Sequence, residues 1–444
     1  MPYAGGDRLP GEAASKIGHL AVVQSPWVRS LVEDFERSTI TDTDTSQTPW
    51  VVYDPNRVQV LGRVWAVDGS FVAVQSQERP PREVAFVKTA LITVNKAQID
   101  AIDKDHPHPL HLKDVMTGSG LFHSTVFPLK NVKSSQGTNY DRIRHIVRDS
   151  MQADEDGAFY ETLKWLTYRK WQQTPTNSPA FECPHCWVKI EGGLPPEADE
   201  ACCPHCGADV FLTDMIGFHL DMGEDNAPDS IASAYMLLME HLMLFTPIRL
   251  CWAHHDKRLL TETLFLKDGP LTLRSQYSKL VPPIRALLQH AKEKDRPIHI
   301  VGQEKSGTFV DHLRSIVRFA PPQARGEQPT YAALSHEYVR REVYRTPDLS
   351  NPYGLRTNWG EKVYLKIDPG TYMVLNVPTG DYNRAQTFPT SSDLIGLDRI
   401  LATIPTLISH KFEGALFPIE LANGIASMSS YPSAKILERF LESH

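Results

Sequence analysis

Arg63-Val64-Trp65-Ala66-Val67-Asp68-Gly69-Ser70-Phe71 drives an apolar run into an aspartate and follows it at once with glycine. The pattern predicts a strand that ends at Asp68 and holds a carboxylate at a buried strand terminus. An anion placed there is costly unless something positive compensates it. A strand end leaves room for a divalent cation that stays open to substrate. The idea recurs 200 residues later in Leu264-Phe265-Leu266-Lys267-Asp268-Gly269-Pro270-Leu271. Asp-Gly after a hydrophobic run is also an ordinary tight-turn signal, and either copy alone reads as a turn. Two copies in one chain point to a metal site assembled by the fold.

Around these motifs, Val58–Asp68, Phe71–Gln77 and Val84–Val94 alternate apolar and polar residues and read as a meander of three strands. His299-Ile300-Val301-Gly302 is a further strand, stopped by Gln303-Glu304-Lys305-Ser306-Gly307. Val363–Ile367 and Tyr372–Val377 form a hairpin around Asp368-Pro369-Gly370. Helical patterns cover Val28 to Phe35, residues 138–172, Ile231–Leu250, Pro283–Lys294, Asp393–His410, Ile419–Ser427 and the stretch from Ser433. Strands first, then alternating helices and strands, predict an α/β fold with a mixed sheet flanked by helices. The expected divisions are a helical and loop segment at 1–50, a first α/β part at 51–175, a cysteine module at 176–215 and a second α/β part at 216–444. Ser38–Thr48 reads as a loop from its composition. Alternate prolines make His106-Pro107-His108-Pro109-Leu110-His111 an extended loop rather than a metal site.

The chain has 444 residues, 41% hydrophobic and 22% charged, the composition of a folded protein with room for two or three domains. No uninterrupted run of about 18 apolar residues occurs. The start, Met-Pro-Tyr-Ala-Gly-Gly-Asp-Arg, lacks the basic and apolar regions of a signal peptide. A cytoplasmic location without membrane contact is therefore expected. The net charge of −7 does not advertise polyanion binding. Any nucleic acid must be held by a local basic groove, a metal centre or a partner.

Cys183-Pro184-His185-Cys186 and Cys203-Pro204-His205-Cys206 repeat the same four letters with sixteen residues between them. Each Cys-x-x-Cys presents two thiolates to one tetrahedral ion, and the intervening length suits the hairpin of a zinc ribbon. Duplication argues against a redox dithiol, which needs a single pair beside a helix start. Four thiolates close the coordination sphere, so Zn²⁺ here holds shape and does not activate water. Cys202 and Cys251 are surplus and expected to be buried or inert.

Tyr235-Met236-Leu237-Leu238-Met239-Glu240-His241-Leu242-Met243-Leu244 places one carboxylate in a nearly continuous apolar helix. A buried glutamate must be paired, protonated or metal-bound. The alternative is a narrow solvent-facing stripe shared with His241. Glu262 is a rival candidate in the approach to the Asp268 strand.

Taken in order, five segments resemble the NurA nucleases. They are Val67-Asp68-Gly69-Ser70, the helix containing Glu240, Phe265 to Leu271, Ile300 to Gly307, and Leu416-Phe417-Pro418-Ile419-Glu420-Leu421-Ala422-Asn423. The resemblance covers most of the chain and implies a ribonuclease-H-like fold with the zinc ribbon as an insertion. It implies that Asp68, Glu240 and Asp268 ligate catalytic Mn²⁺ or Mg²⁺, with Asn423 as an auxiliary ligand and Lys305 on substrate phosphate. Hard cations want oxygen ligands and keep open positions for phosphate and water.

The implied activity is a metal-dependent deoxyribonuclease: an exonuclease that also cuts single strands internally, hydrolysing phosphodiester bonds. The family works as a homodimer docked on a hexameric HerA-type ATPase in DNA end resection, repair or defence against foreign DNA. Asn423 departs from the family's His or Asp at that position. The departure keeps open a catalytically degenerate scaffold subunit of a HerA complex, or an adaptor in which Asp68 and Asp268 only make turns. A zinc-ribbon transcription-type factor is disfavoured by the internal position of the ribbon and the sparse basic patches.

Overall fold

A computed structural model describes residues 22, 24–34, 50–95, 120–132, 137–153, 157–223, 230–317, 325–346, 350–380, 387–409, 414–428 and 433–443. The Ser38–Thr48 and His106–His111 segments lie outside these residues. The chain divides into two compact units, Met1–Thr45 and Ser46–His444. In the first, helix α1 covers Pro26–Asp34. The cysteine module does not separate from the second unit.

That second unit is built on one nine-stranded sheet. Its strands are β1 (Val51–Val52), β2 (Arg63–Gln75), β3 (Glu83–Asn95), β4 (Gly120–Lys130), β9 (Thr263–Asp268), β10 (His299–Glu304), β11 (Thr330–Ala333), β12 (Gly360–Asp368) and β13 (Thr371–Pro378). Two small hairpins, β5 (Phe181–Glu182) with β6 (Lys189–Ile190) and β7 (Glu200–Cys202) with β8 (Asp209–Phe211), belong to the cysteine module. The sheet order is β1-β11-β12-β13-β10-β9-β2-β3-β4. β2, β9 and β10 run parallel to one another, and the other neighbours pair antiparallel. The fold is therefore mixed α/β, with a large mixed sheet flanked by helices.

The helices of this unit are α2 (Asn139–Gln152), α3 (Ala158–Thr167), α4 (Ser230–Ala253), α5 (Val281–Glu293), α6 (Thr308–Ile316), α7 (Leu397–Thr403), α8 (Phe417–Ala426) and α9 (Ser433–Ser443). Strand alternation splits the sheet residues between two cores. Val67, Leu91, Phe265 and Ile300 pack with α2, α3, α4 and α5. Val64, Ala66, Ile92, Leu264, Leu266 and Val301 pack with α7 and α8 on the other face. A smaller cluster joins Phe309 and Leu313 of α6 to Ala332, Tyr364 and Val374.

α4 is apolar all round, as a helix surrounded by protein must be. By length and composition it could cross a membrane, but its apolar window is 83% buried inside the fold.

One expectation is corrected. β2 does not stop at Asp68-Gly69 but runs on to Gln75, which joins the two strands expected on either side of Gly69 into one of thirteen residues, each paired with β3. What ends there is the parallel partner: β9 pairs with β2 from Arg63 to Val67 and no further. Gly69 serves close approach rather than a turn, because a Cβ on it would lie 2.6 Å from Met236 Cγ and 2.8 Å from Glu240 Oε1 of α4. At the second motif the expected turn is present: β9 ends at Asp268, and Gly269 takes φ +81°, a conformation that favours glycine.

Candidate metal centres

The register pairs Val67 with Lys267. The next residues, Asp68 and Asp268, therefore stand side by side where two parallel strands part. By alternation both belong to the face covered by α8, and β10 continues the row with Gln303 opposite Asp268. Asp68 is 5% exposed and accepts a 2.7 Å hydrogen bond from its neighbour's amide, Gly69 N. Glu240 comes from α4 on the opposite face of the sheet, where Gly69 leaves room for it.

Two lysines are interleaved with these acids. Lys267 Nζ lies 2.6 Å from Glu240 Oε2 and donates to the Asp268 carbonyl at 2.7 Å. Lys305 Nζ, from the loop after β10, is 3.1 Å from Asp268 Oδ1. Burial, then the nearby charges of Asp268 and Glu240, push Asp68 up to about 7, against the pull of the Gly69 amide and Lys305. Burial also raises Glu240, although Lys267 opposes it. The Asp268 charge contributes to raising both Asp68 and Glu240, and a hard divalent cation with oxygen ligands suits that donor set. In this structure the three carboxylates are neighbours without converging. Among the described residues, only the four cysteines bring three or more potential metal-ligating atoms of His, Cys, Asp or Glu within 4.8 Å of one another.

α8 crosses above the two aspartates. Gln303 Nε2 donates to the Gly414 carbonyl just before it, and Met428 N, just after it, donates to Ser70 Oγ at 3.3 Å. Asn423 lies on this helix but is exposed, and no hydrogen bond ties it to the acids. Glu420, one turn earlier on the same flank, has a buried Oε1 with no hydrogen-bond partner. Within Leu416–Asn423 nothing in the sequence marks Glu420 over Asn423, because the fold alone buries a carboxylate oxygen of the one and exposes the other. Glu262 is excluded from the site by Arg399, whose Nη1 donates to its Oε1 at 2.9 Å. His241 faces no solvent: it is buried, and its Nδ1 lies 2.7 Å from the Leu237 carbonyl.

The cysteine centre is closed. Cys183 and Cys206 sulfurs are 3.8 Å apart, as are those of Cys186 and Cys203. Zn–S bonds of about 2.3 Å in a tetrahedron place sulfurs about 3.8 Å apart, so the four thiols already have the geometry of a structural zinc site. Both motifs fold alike: His185 N points at Cys183 Sγ and His205 N at Cys203 Sγ, at 3.4 and 3.5 Å.

The module is docked on the main core rather than set apart. Phe181, Ile190, Leu194 and Val210 share the α4-side cluster. Arg144 of α2 forms a buried fork with Asp214 (3.0 and 2.8 Å) and reaches His185 Nε2 at 3.0 Å. Tyr140 donates to the Pro184 carbonyl at 2.7 Å. Of the surplus cysteines, Cys202 is exposed rather than buried, and Cys251 is half-buried.

No family model and no curated protein matches this chain.

Proposed function

We propose that this chain is a divalent-metal-dependent deoxyribonuclease of the NurA type. The reading rests on one observation above the others: Asp68 and Asp268 lie side by side at the diverging ends of parallel β2 and β9, with Glu240 of α4 packed against Gly69 on the opposite face of the sheet. The strand order β4-β3-β2-β9-β10, three antiparallel strands followed by two parallel to β2, supports a ribonuclease-H-like core. In this reading Asp68, Glu240 and Asp268 hold Mn²⁺ or Mg²⁺, which when bound supplies Lewis-acid activation of water and of the leaving 3′ oxygen. Lys305 leaves Asp268 for a substrate phosphate, and burial of Asp68 keeps bulk water from its carboxylate. The cysteine module holds a structural Zn²⁺ that takes no part in the chemistry. The activity is exonucleolytic, with internal cutting of single strands, in a cytoplasmic homodimer on a HerA-type ATPase ring. The motor supplies DNA affinity that a net charge of −7 does not.

A second reading has an observation of its own. Glu240 and Asp268 are both paired with lysines, and Asn423 is exposed and apart from the acids, so a metal-free scaffold subunit of the same complex is consistent with the site. Digestion of end-labelled linear DNA with Mn²⁺, Mg²⁺ or EDTA, with and without a HerA-type ATPase, separates the two. Metal-dependent loss of label that Asp68→Ala abolishes supports the nuclease. No cutting under any condition, even with the ATPase present, leaves the scaffold.

A further inference from the structure

The two cysteine knuckles close in the same way. Trp187 N donates to the Cys183 carbonyl at 3.0 Å, and Gly207 N donates to the Cys203 carbonyl at 2.9 Å. Both closing residues take a left-handed backbone, φ +62° at Trp187 and +75° at Gly207. The second knuckle fills that position with the residue that adopts it freely, and the first fills it with the largest side chain. Trp187 is the only aromatic residue at positive φ among the described residues. It is 53% exposed, beside the exposed Val188, and its ring lies 5.9 Å from that of buried His219, centroid to centroid. Burial of barely half a side chain does little to offset the strain. A strained aromatic kept at the surface points to a contact made outside the chain.

The charge around the knuckle says what kind of contact. One lysine stands against seven Asp and Glu between residues 176 and 215, so −6 of the chain's net −7 belongs to the cysteine module. Four of these acids, Glu182, Glu197, Asp199 and Glu200, pair with Lys279, Lys170, Lys164 and Arg148 from outside the module. In each pair the carboxylate is the more exposed partner, so the cations lie inward and the acids outermost. Glu191, its side chain 75% exposed, likewise stands outside Lys189. The β5–β6 hairpin whose turn holds Trp187 also carries Glu182 and runs into Glu191. Outward carboxylates repel a phosphate backbone, and the same module of a second copy would meet this one acid to acid. A guanidinium suits both parts of the surface, because it stacks on an indole face and pairs with carboxylates.

We propose that the Trp187 knuckle docks a cationic segment of a partner protein, with an arginine over the indole and Glu182 and Glu191 holding the charges beside it. The proposal goes beyond the nuclease reading and does not depend on it.

Fluorescence anisotropy of the zinc-loaded full chain with a dye-labelled oligoarginine peptide, beside a dye-labelled oligothymidylate, tests it. Trp187→Gly should weaken peptide binding about fivefold, the scale of one partly desolvated cation–π contact. Its melting temperature should not fall, because glycine takes this φ without strain. Trp187→Phe should keep most of the affinity, and Glu191→Gln should lower it about twofold at low salt. Unchanged peptide affinity in Trp187→Gly would overturn the proposal. A melting temperature that falls by several degrees in that variant would make the ring a prop for His219, and would overturn it as well. So would an oligothymidylate that binds more tightly than the peptide and is lost with the indole, which would make the knuckle a nucleic-acid contact. Each readout is binding or melting, so the result holds whether or not the chain cuts DNA.

Discussion

Lys267 Nζ sits 2.6 Å from Glu240 Oε2, with side chains 1% and 5% exposed. The pair ties α4 to β9 directly beneath the two aspartates. Breaking a buried ion pair by removing one partner leaves an uncompensated charge and costs about 3–5 kcal/mol. Lys267→Met should therefore destabilise the protein by that order in urea unfolding. Replacing both, as Lys267→Met with Glu240→Leu, should recover much of the loss. A single substitution that costs under about 1 kcal/mol would mean that Glu240 is already neutral in the folded protein, as its raised proton affinity allows.

Lys305 and Asp268 make a looser pair, 3.1 Å apart with both side chains about a third exposed. The ammonium competes with any cation for Asp268, yet it is also the charge best placed for a substrate phosphate. Lys305→Met should tighten Mn²⁺ binding, read by calorimetry, by a fewfold while slowing cleavage at least tenfold. The opposite directions distinguish a phosphate contact from a residue that merely holds Asp268 in place, whose loss would weaken both.

Features decided by adjacent residues were legible in the chain. The two Cys-Pro-His-Cys turns, the Asp268-Gly269 strand end and the Asp368-Pro369-Gly370 hairpin all stand as read, the last with Gly370 N donating to Asp368 Oδ1 at 2.9 Å. Asp68-Gly69 misled because its context is long-range: β3 carries the strand onward and α4 claims the glycine's vacant side. β4 escaped notice because its alternation is blurred by Leu121, Phe122 and Val126, apolar residues exposed on an edge strand. Lys267 and Arg144, which pin Glu240 and the cysteine module, carry no local signature, since a buried cation is recognised only by the partner that the fold supplies.

Arg144 joins the cysteine module to α2 through Asp214 and His185, and the four sulfurs need a cation to share their close quarters. Chelation of zinc, or Cys186→Ser, should lower the melting temperature and expose the core residues Phe181 and Val210 that the module contributes. Arg144→Leu should destabilise by about 3 kcal/mol or more, because Asp214 is left buried and unpaired, while zinc content by colorimetric assay stays near one per chain. Loss of zinc in Arg144→Leu would instead make the clamp a requirement for the site itself.

Four buried histidines set the acid limit of the fold. Burial lowers His123, His219 and His299 to about 4 and His241 to about 3, from 6.5 in the unfolded chain. Because the unfolded state takes up these protons first, their stabilisation is complete above pH 6.5 and is lost as pH falls towards 4. At about 1.4 kcal/mol per pH unit, each ring is worth on the order of 3–5 kcal/mol. Asp68 opposes them: its affinity is raised from 3.8 to about 7, so its contribution is present below pH 3.8 and lost as pH rises through 7. Glu240, also raised by burial, acts in the same sense as Asp68, and two carboxylates against four imidazoles leave the net slope between pH 6.5 and 4 with the histidines. The urea midpoint should drop steeply between pH 6.5 and 4.5, and His241→Phe, which keeps a ring against Trp359, should flatten that slope. A midpoint that holds constant to pH 5 would show that these rings are protonated within the fold at no cost, and that water reaches them.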